Sequence, residues 1–265
     1  MKGFLLSFWS EFYKTRKTLS FWCSILLPLL ISLLAFTIFY TKSDKFASMQ
    51  SMALWSQFAT VSLGIMGTLL LPMYIIFIAY SVNSVEHKAD TWKTLFSLPL
   101  SRWSVYGAKF FYAVFLIFLS LALFGVFTIA FGNLLGVLKP ELKFGGYHME
   151  QQLLLIYFKL FLASLGILSI QFLFSLLWAD FLKPMGIGFV ATIAGVIAAS
   201  NNWEYAYLFP YSHPMAALRS MIKQNKGPVR DLQIDVFTKD VFVSLGVAVV
   251  VFVAGYFIVR RKSVK

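Results

Sequence analysis

The groups able to do chemistry gather between Glu86 and Arg102, in the run Glu86-His87-Lys88-Ala89-Asp90-Thr91-Trp92-Lys93-Thr94-Leu95-Phe96-Ser97-Leu98-Pro99-Leu100-Ser101-Arg102. Val85, Ala89, Trp92, Leu95 and Phe96 share one face at i, i+3 and i+4 spacing, while His87, Lys88, Asp90 and Thr94 point elsewhere. The spacing predicts a short amphipathic helix, closed by Pro99, with Ser101 placed to cap the helix that follows. The chemistry such a helix offers is docking: an aromatic anchor with a few oriented charges around it. A passive connector lying in a membrane surface carries the same pattern.

Arrangements that break bonds are missing. The sequence has no GxxxxGK[ST] loop, so it holds no P-loop ATPase of its own. His87, His148 and His213 are scattered, with no HExxH motif or Cys/His cluster beside them, and no metal site is expected. There is no GxSxG elbow and no pair of carboxylates within an apolar run. Cys23, the single cysteine, has no disulfide partner and reads as a small apolar residue. The expectation is a protein that is not an enzyme and holds no cofactor itself.

What must position the docking run is a set of membrane spans. Six stretches are long and apolar enough to cross a bilayer: 21–40, 58–80, 106–131, 160–179, 184–200 and 241–259. The 265 residues are 59% hydrophobic and 13% charged, against roughly 25% charged in soluble domains. One transmembrane domain over 1–265 therefore accounts for the chain. The net charge of +12 has no basic soluble module to carry it, so anionic lipid headgroups are the expected counter-charge and nucleic acid is not. Lys2, Lys14, Arg16 and Lys17 precede the first span and Arg260, Arg261 and Lys262 follow the last, which predicts that both termini are cytoplasmic. The first 20 residues do not read as a signal peptide, and the first span is expected to be retained.

Ahead of the first span, Phe4, Leu5, Phe8, Trp9, Phe12 and Tyr13 recur at helical spacing, with Lys2, Ser7, Ser10, Glu11, Lys14 and Lys17 opposite. Residues 1–19 thus predict an interfacial helix with its apolar face in the membrane and its polar face in water. Pro28 and Pro72 predict bends in the first two spans. The fifth span carries Ala191, Gly195 and Ala199 at four-residue spacing after Gly186 and Gly188, and is expected to pack against neighbours instead of facing lipid. Beyond it, Pro214 opens a short outer helix, interfacial or partly re-entrant, whose Leu218, Met221 and Ile222 are expected to rest on or dip into the outer leaflet, with Arg219 and Lys223 at headgroup level. No ionisable residue lies near the centre of a span; Lys109, Lys159 and Asp180 lie at ends, where the lysines are expected to snorkel outward. Gln171 is the main polar group deep in a span and is read as an interhelical hydrogen bond. Without a buried charge path, the energy source is expected outside the chain.

The interfacial helix, the six spans and a Glu-x4-Thr … Leu-Pro-x-Ser-Arg … Lys pattern, here Glu86, Thr91, Leu98-Pro99, Ser101-Arg102 and Lys109, resemble the permease subunits of type-2 ABC exporters. Asp90 stands where that family often has Gly. The run His87 to Lys93 resembles the branch that protects bacteria from lantibiotics and related peptide antibiotics. The resemblance implies an all-α fold with a cytoplasmic coupling helix around Glu86 to Phe96 and small outer helices between the fifth and sixth spans. It implies coupling residues Glu86, Asp90, Thr91, Trp92, Phe96, Pro99 and Arg102, and an interfacial helix anchored by Phe8, Trp9, Phe12, Lys14, Arg16 and Lys17. Two separately encoded ATPase subunits would bind ATP and Mg, and a second permease copy or a sister permease would complete the transporter in a bacterial plasma membrane. The expected function is export of an amphipathic or lipid-like substrate, an antimicrobial peptide among the candidates. A non-transporting anchor or sensor for a cytoplasmic complex, and a secondary carrier, are the alternatives.

Overall fold

The computed structural model describes residues 2–89, 100–201, 203–224 and 234–261, and the regular structure among them is helical throughout. Helix α1 (Lys2–Thr15) leads into α2 (Leu19–Thr41), the one-turn α3 (Ser43–Phe46), α4 (Ser51–Ile65) and, across a π turn at Met66–Leu70, α5 (Leu71–Ala89). Then come α6 (Arg102–Leu138), α7 (Glu150–Leu177), α8 (Leu182–Ser200), α9 (His213–Gln224) and α10 (Lys239–Arg261). Among the described residues six stretches are long and apolar enough to span a membrane: α2, the joined α4–α5, α6, α7, α8 and α10. This is the expected all-α, six-span architecture, and an even number of spans returns the two ends of the chain to one face. We call that the terminal face.

Every span helix is longer than the apolar run that announces it, the second and third most of all. The second covers Ser51–Lys88 and the third Arg102–Leu138. At 1.5 Å per residue the 37 residues of α6 measure about 55 Å, well beyond a hydrocarbon core of about 30 Å. Both helices therefore project out of the bilayer and carry polar residues on the projecting turns. The helix ends follow local signals. Ser101 accepts the backbone N–H of Ser104 at 3.1 Å, as an N-cap should, and Asp180 Oδ1 accepts the N–H of Leu182 at 3.0 Å ahead of α8.

In a bilayer the tails solvate apolar side chains as well as a neighbouring helix does, so small residues and polar pairs decide which helices meet. Helices α6 and α7 form the centre, with α2 and α1 packed on α6, and α5 and α10 on α7. Tyr74 donates to Ser24 at 2.7 Å and Ser81 to Ser20 at 2.8 Å, stitching α5 to α2. Asn83 donates to Ser175 at 2.8 Å between α5 and α7, and Tyr106 to the Phe252 carbonyl at 2.9 Å between α6 and α10. Ser244 accepts the Gly166 N–H at 2.9 Å, joining α10 to α7.

The face opposite the termini is closed by two caps. One is aromatic: Trp55 meets Phe58 and Phe144 edge-on, Phe39 packs on Phe58 and stacks on Phe46, and the Trp55 indole N–H donates to the Phe144 carbonyl at 2.9 Å. The other is the segment from Ala206 to Gln224, which enters the bundle between α7, α8, α10 and the π turn. A Cβ at Gly195 of α8 would lie 2.4 Å from the Tyr211 carbonyl carbon, so only glycine admits this plug. The segment takes the re-entrant form of the expectation, but Leu218 is buried against Gly67 and packs on protein where lipid was expected. The Arg219 guanidinium caps the end of α8 through the carbonyls of Ala199 and Ser200.

Helix α8 corrects a second expectation. Pro184, Gly188, Thr192, Gly195 and Ala199 are buried, but Ile187, Val190, Ile193 and Ile197 are exposed. Its small residues make one packing stripe, and the rest of the helix faces outward. Gly186 has open space around it.

Candidate functional site

Four charged side chains meet where α1, the end of α5 and the start of α6 converge. Lys109 of α6 bonds Glu86 at 2.6 Å and Glu11 at 2.8 Å; Lys14 of α1 bonds the other oxygen of each, both at 2.9 Å. The result is a closed ring in which every lysine touches both carboxylates and the formal charges cancel. Lys109 is 1% exposed, Glu86 2% and Glu11 3%. The third donor of Lys109 reaches the Val82 carbonyl at 3.1 Å, so its three N–H groups are all used.

The sequence explains how each member arrives. Ser7, Glu11 and Thr15 follow one another at i+4 along α1 and all are buried against α6, while Leu5, Leu6, Trp9 and Tyr13 are exposed. The polar stripe of α1 thus faces the bundle, where water was expected. The cause is Lys109, two turns inside α6, whose charge needs partners in that wall. Lys109 therefore does not snorkel, and Lys159, 2% exposed in α7, does not either; Asp180 is exposed at its helix end as expected. Thr15 adds a hydroxyl contact to Tyr112 of α6, and Phe8 packs edge-on to the same ring at 5.6 Å.

The remaining predicted residues fall as follows. Phe12 packs on Phe21 at 5.8 Å, Trp9 stands outward, Arg16 lies 4.8 Å over the Tyr13 ring, and Lys17 is exposed. Arg102 donates to the Val259 and Arg260 carbonyls at 3.3 and 2.9 Å, clipping the start of α6 to the end of α10. Asp90, Thr91, Trp92, Phe96 and Pro99 lie outside the described residues. The predicted set thus separates into an inner group, Glu86 with Lys14, and Arg102 at a helix end. Glu86 points into the chain, where it bonds Lys14 and Lys109. Glu11 escaped the sequence reading because it sits on the face assigned to water. Its signal was the i+4 stripe with Ser7 and Thr15, opposite a lysine that the third span had to bury.

The last turn of α5 is held from a second side. Asn83 bonds Ser175, and His87 Nε2 lies 3.0 Å from the Ser175 carbonyl. The stub that leads into residues 90–99 is therefore fastened to α1, α6 and α7 together. Burial alone would lower the Lys14 pKa, but the Glu11 and Glu86 carboxylates outweigh it and raise the pKa above its ordinary value. No group of three or more His, Cys, Asp or Glu side chains that could hold a metal comes together among the described residues.

At the opposite face Gln171 donates to the Tyr211 hydroxyl at 2.6 Å, the interhelical bond expected of it, although the partner is the plug. Burial pushes the Tyr211 phenol up to about 12, with the Gln171 bond acting against it. His213, wholly buried, has its pKa lowered by burial; its bond to the Tyr207 carbonyl at 2.8 Å and the nearby Asp240 act in the other direction.

A bundle of six candidate spans, with a polar node at the root of one inter-span segment, defines a multi-pass membrane protein. A family model described as ABC-2 family transporter protein matches residues 7–195, nearly three quarters of the chain. The chain belongs to that family, and is a permease subunit of an ABC transporter. Neither the curated proteins nor the solved structures gave a significant match.

Proposed function

We propose that this permease exports an amphipathic or lipid-like substrate, driven by ATP that separately encoded subunits bind with Mg and hydrolyse at the cytoplasmic face. The observation that carries the reading is the charge ring: it binds α1, α5 and α6 into one node at the root of residues 90–99, where an ATPase would dock. A segment so rooted cannot be pushed without moving two spans and the N-terminal helix. Asp90, Thr91, Trp92 and Phe96 are the docking contacts in this reading, with Trp92 as anchor. Glu86, Lys109, Glu11 and Lys14 pass the displacement on, and Pro99 and Arg102 fix the return into α6. The terminal face is then cytoplasmic, in a bacterial plasma membrane, and a second permease, identical or a sister chain, completes the pathway. ATP binding in the partners shifts the pair between two conformations through its differential affinity for them. A peptide antibiotic is the cargo class to which the His87–Lys93 run points.

The test is purification from the source cells with the ATPase retained, followed by transport of fluorescent lipid and of labelled peptide in proteoliposomes. Trp92→Ala should abolish substrate-stimulated hydrolysis with membrane abundance unchanged. Normal coupling in that variant would refute the docking assignment, and absence of any co-purifying ATPase would refute energised export.

A further inference from the structure

The buried stripe of the second span breaks its period at one place. Fully buried side chains step by four through Phe58, Ser62 and Met66, then by five to Leu71, then by four again to Ile75 and Ala79. Leu70, which an unbroken α-helix would turn inward, is 38% exposed. The stripe carries one extra residue, and it is absorbed by the π turn at Met66–Leu70, which ends two residues before Pro72. Without that wide turn, a one-residue insertion would rotate all of α5 by about 100° relative to α4.

A π turn inside an α-helix persists where its surroundings hold it, and such turns concentrate at functional positions. Here the holder is Leu218 of the plug. A Cβ added to Gly67 would lie 2.1 Å from Leu218 Cδ1, so the leucine occupies the space that the glycine leaves on the buried side of the turn. Leu218 is carried by α9, which Arg219 fastens to the end of α8. Above the turn stands the aromatic cap; below it α5 runs to Glu86 and the charge ring.

We propose that the π turn is a movable joint in the second span and that Leu218, seated on Gly67, is its stop. When the plug withdraws, the turn is free to migrate or to re-form as α-helix, and α5 is re-aimed together with the ring at its far end. Opening at the face opposite the termini is thereby linked mechanically to the root of residues 90–99. The joint stands on the stripe and the Gly67 contact; its use in transport rests on the permease reading above.

The experiment uses the full chain with Cys23→Ser in lipid nanodiscs, spin-labelled at the exposed Gln57 of α4 and Lys88 of α5. Leu218→Ala should broaden or split the distance distribution between the labels, and Leu218→Val should do so to a lesser degree. Deletion of Leu70 restores the four-residue step from Met66 and should give a single narrow population, also when combined with Leu218→Ala. Thermal unfolding of each variant confirms that the bundle is intact. An unchanged distribution in both Leu218 variants, or a deletion that fails to suppress their broadening, would overturn the joint. If no ATPase accompanies the wild-type chain from its source cells, the permease reading fails while the distances still decide the joint.

Discussion

Lys109 shows what one buried charge demands. It lies in the wall between α1 and α5 with two carboxylates, and removing one partner from such a set is strongly destabilising, whereas removing a matched pair is far less so. Lys109→Met should cost about 3–5 kcal/mol in the unfolding of the purified protein. Adding Glu86→Leu leaves the Glu11–Lys14 pair neutral and should recover most of that loss; a double variant no better than the single one would contradict a cooperative ring. His213 makes the opposite case, a titratable group held neutral by burial. Its folded pKa is depressed below the ordinary 6.5, so its contribution is fully present above that value and is lost as pH falls through the folded pKa. Thermal stability should therefore decline with acidification below pH 6.5, and His213→Gln should flatten that part of the profile.

Elements differ in how much local sequence decides them. Spans α2, α6, α7 and α10 follow from apolar run length alone, and the cap at Ser101 from residue type. The direction in which α1 turns its polar stripe does not, because Ser7, Glu11 and Thr15 become the buried face only when Lys109 stands opposite them. The plug was legible as an interfacial or partly re-entrant helix starting near Pro214, but its seat among the spans was not, since its admission depends on Gly195 in another span. The π turn was written in the 58, 62, 66, 71, 75 spacing, which looks like ordinary hydrophobic run until burial is known. Two glycines of α8 test the plug. Gly195→Ala places a methyl against the Tyr211 backbone and should cost about 1–3 kcal/mol by overpacking, while Gly186→Ala, with open space, should stay within about 0.5 kcal/mol. Lys143 has a left-handed backbone (φ 51°) between two short 3-10 turns, and Lys143→Gly should stabilise by about 1 kcal/mol in the same unfolding assay.

At the scale of the whole molecule, six spans place both ends of the chain on one side, and cysteines introduced at Lys17 and Lys265 should react with the same impermeant reagent from the same side of sealed vesicles. Reaction from opposite sides would require an odd number of crossings. Within that frame the ring of two lysines and two carboxylates has an electrical consequence. A unit charge moved through the transmembrane field exchanges about 2.3 kcal/mol per 100 mV, but a node with zero net charge exchanges none when displaced as a unit. In the permease reading, the cell's voltage neither assists nor resists a displacement of this junction as a unit. In the permease reading, neutralising one acid, as in Glu86→Gln, leaves an uncancelled positive charge at the junction, and turnover in vesicles clamped at different potentials should then become more voltage-dependent than the parent chain's.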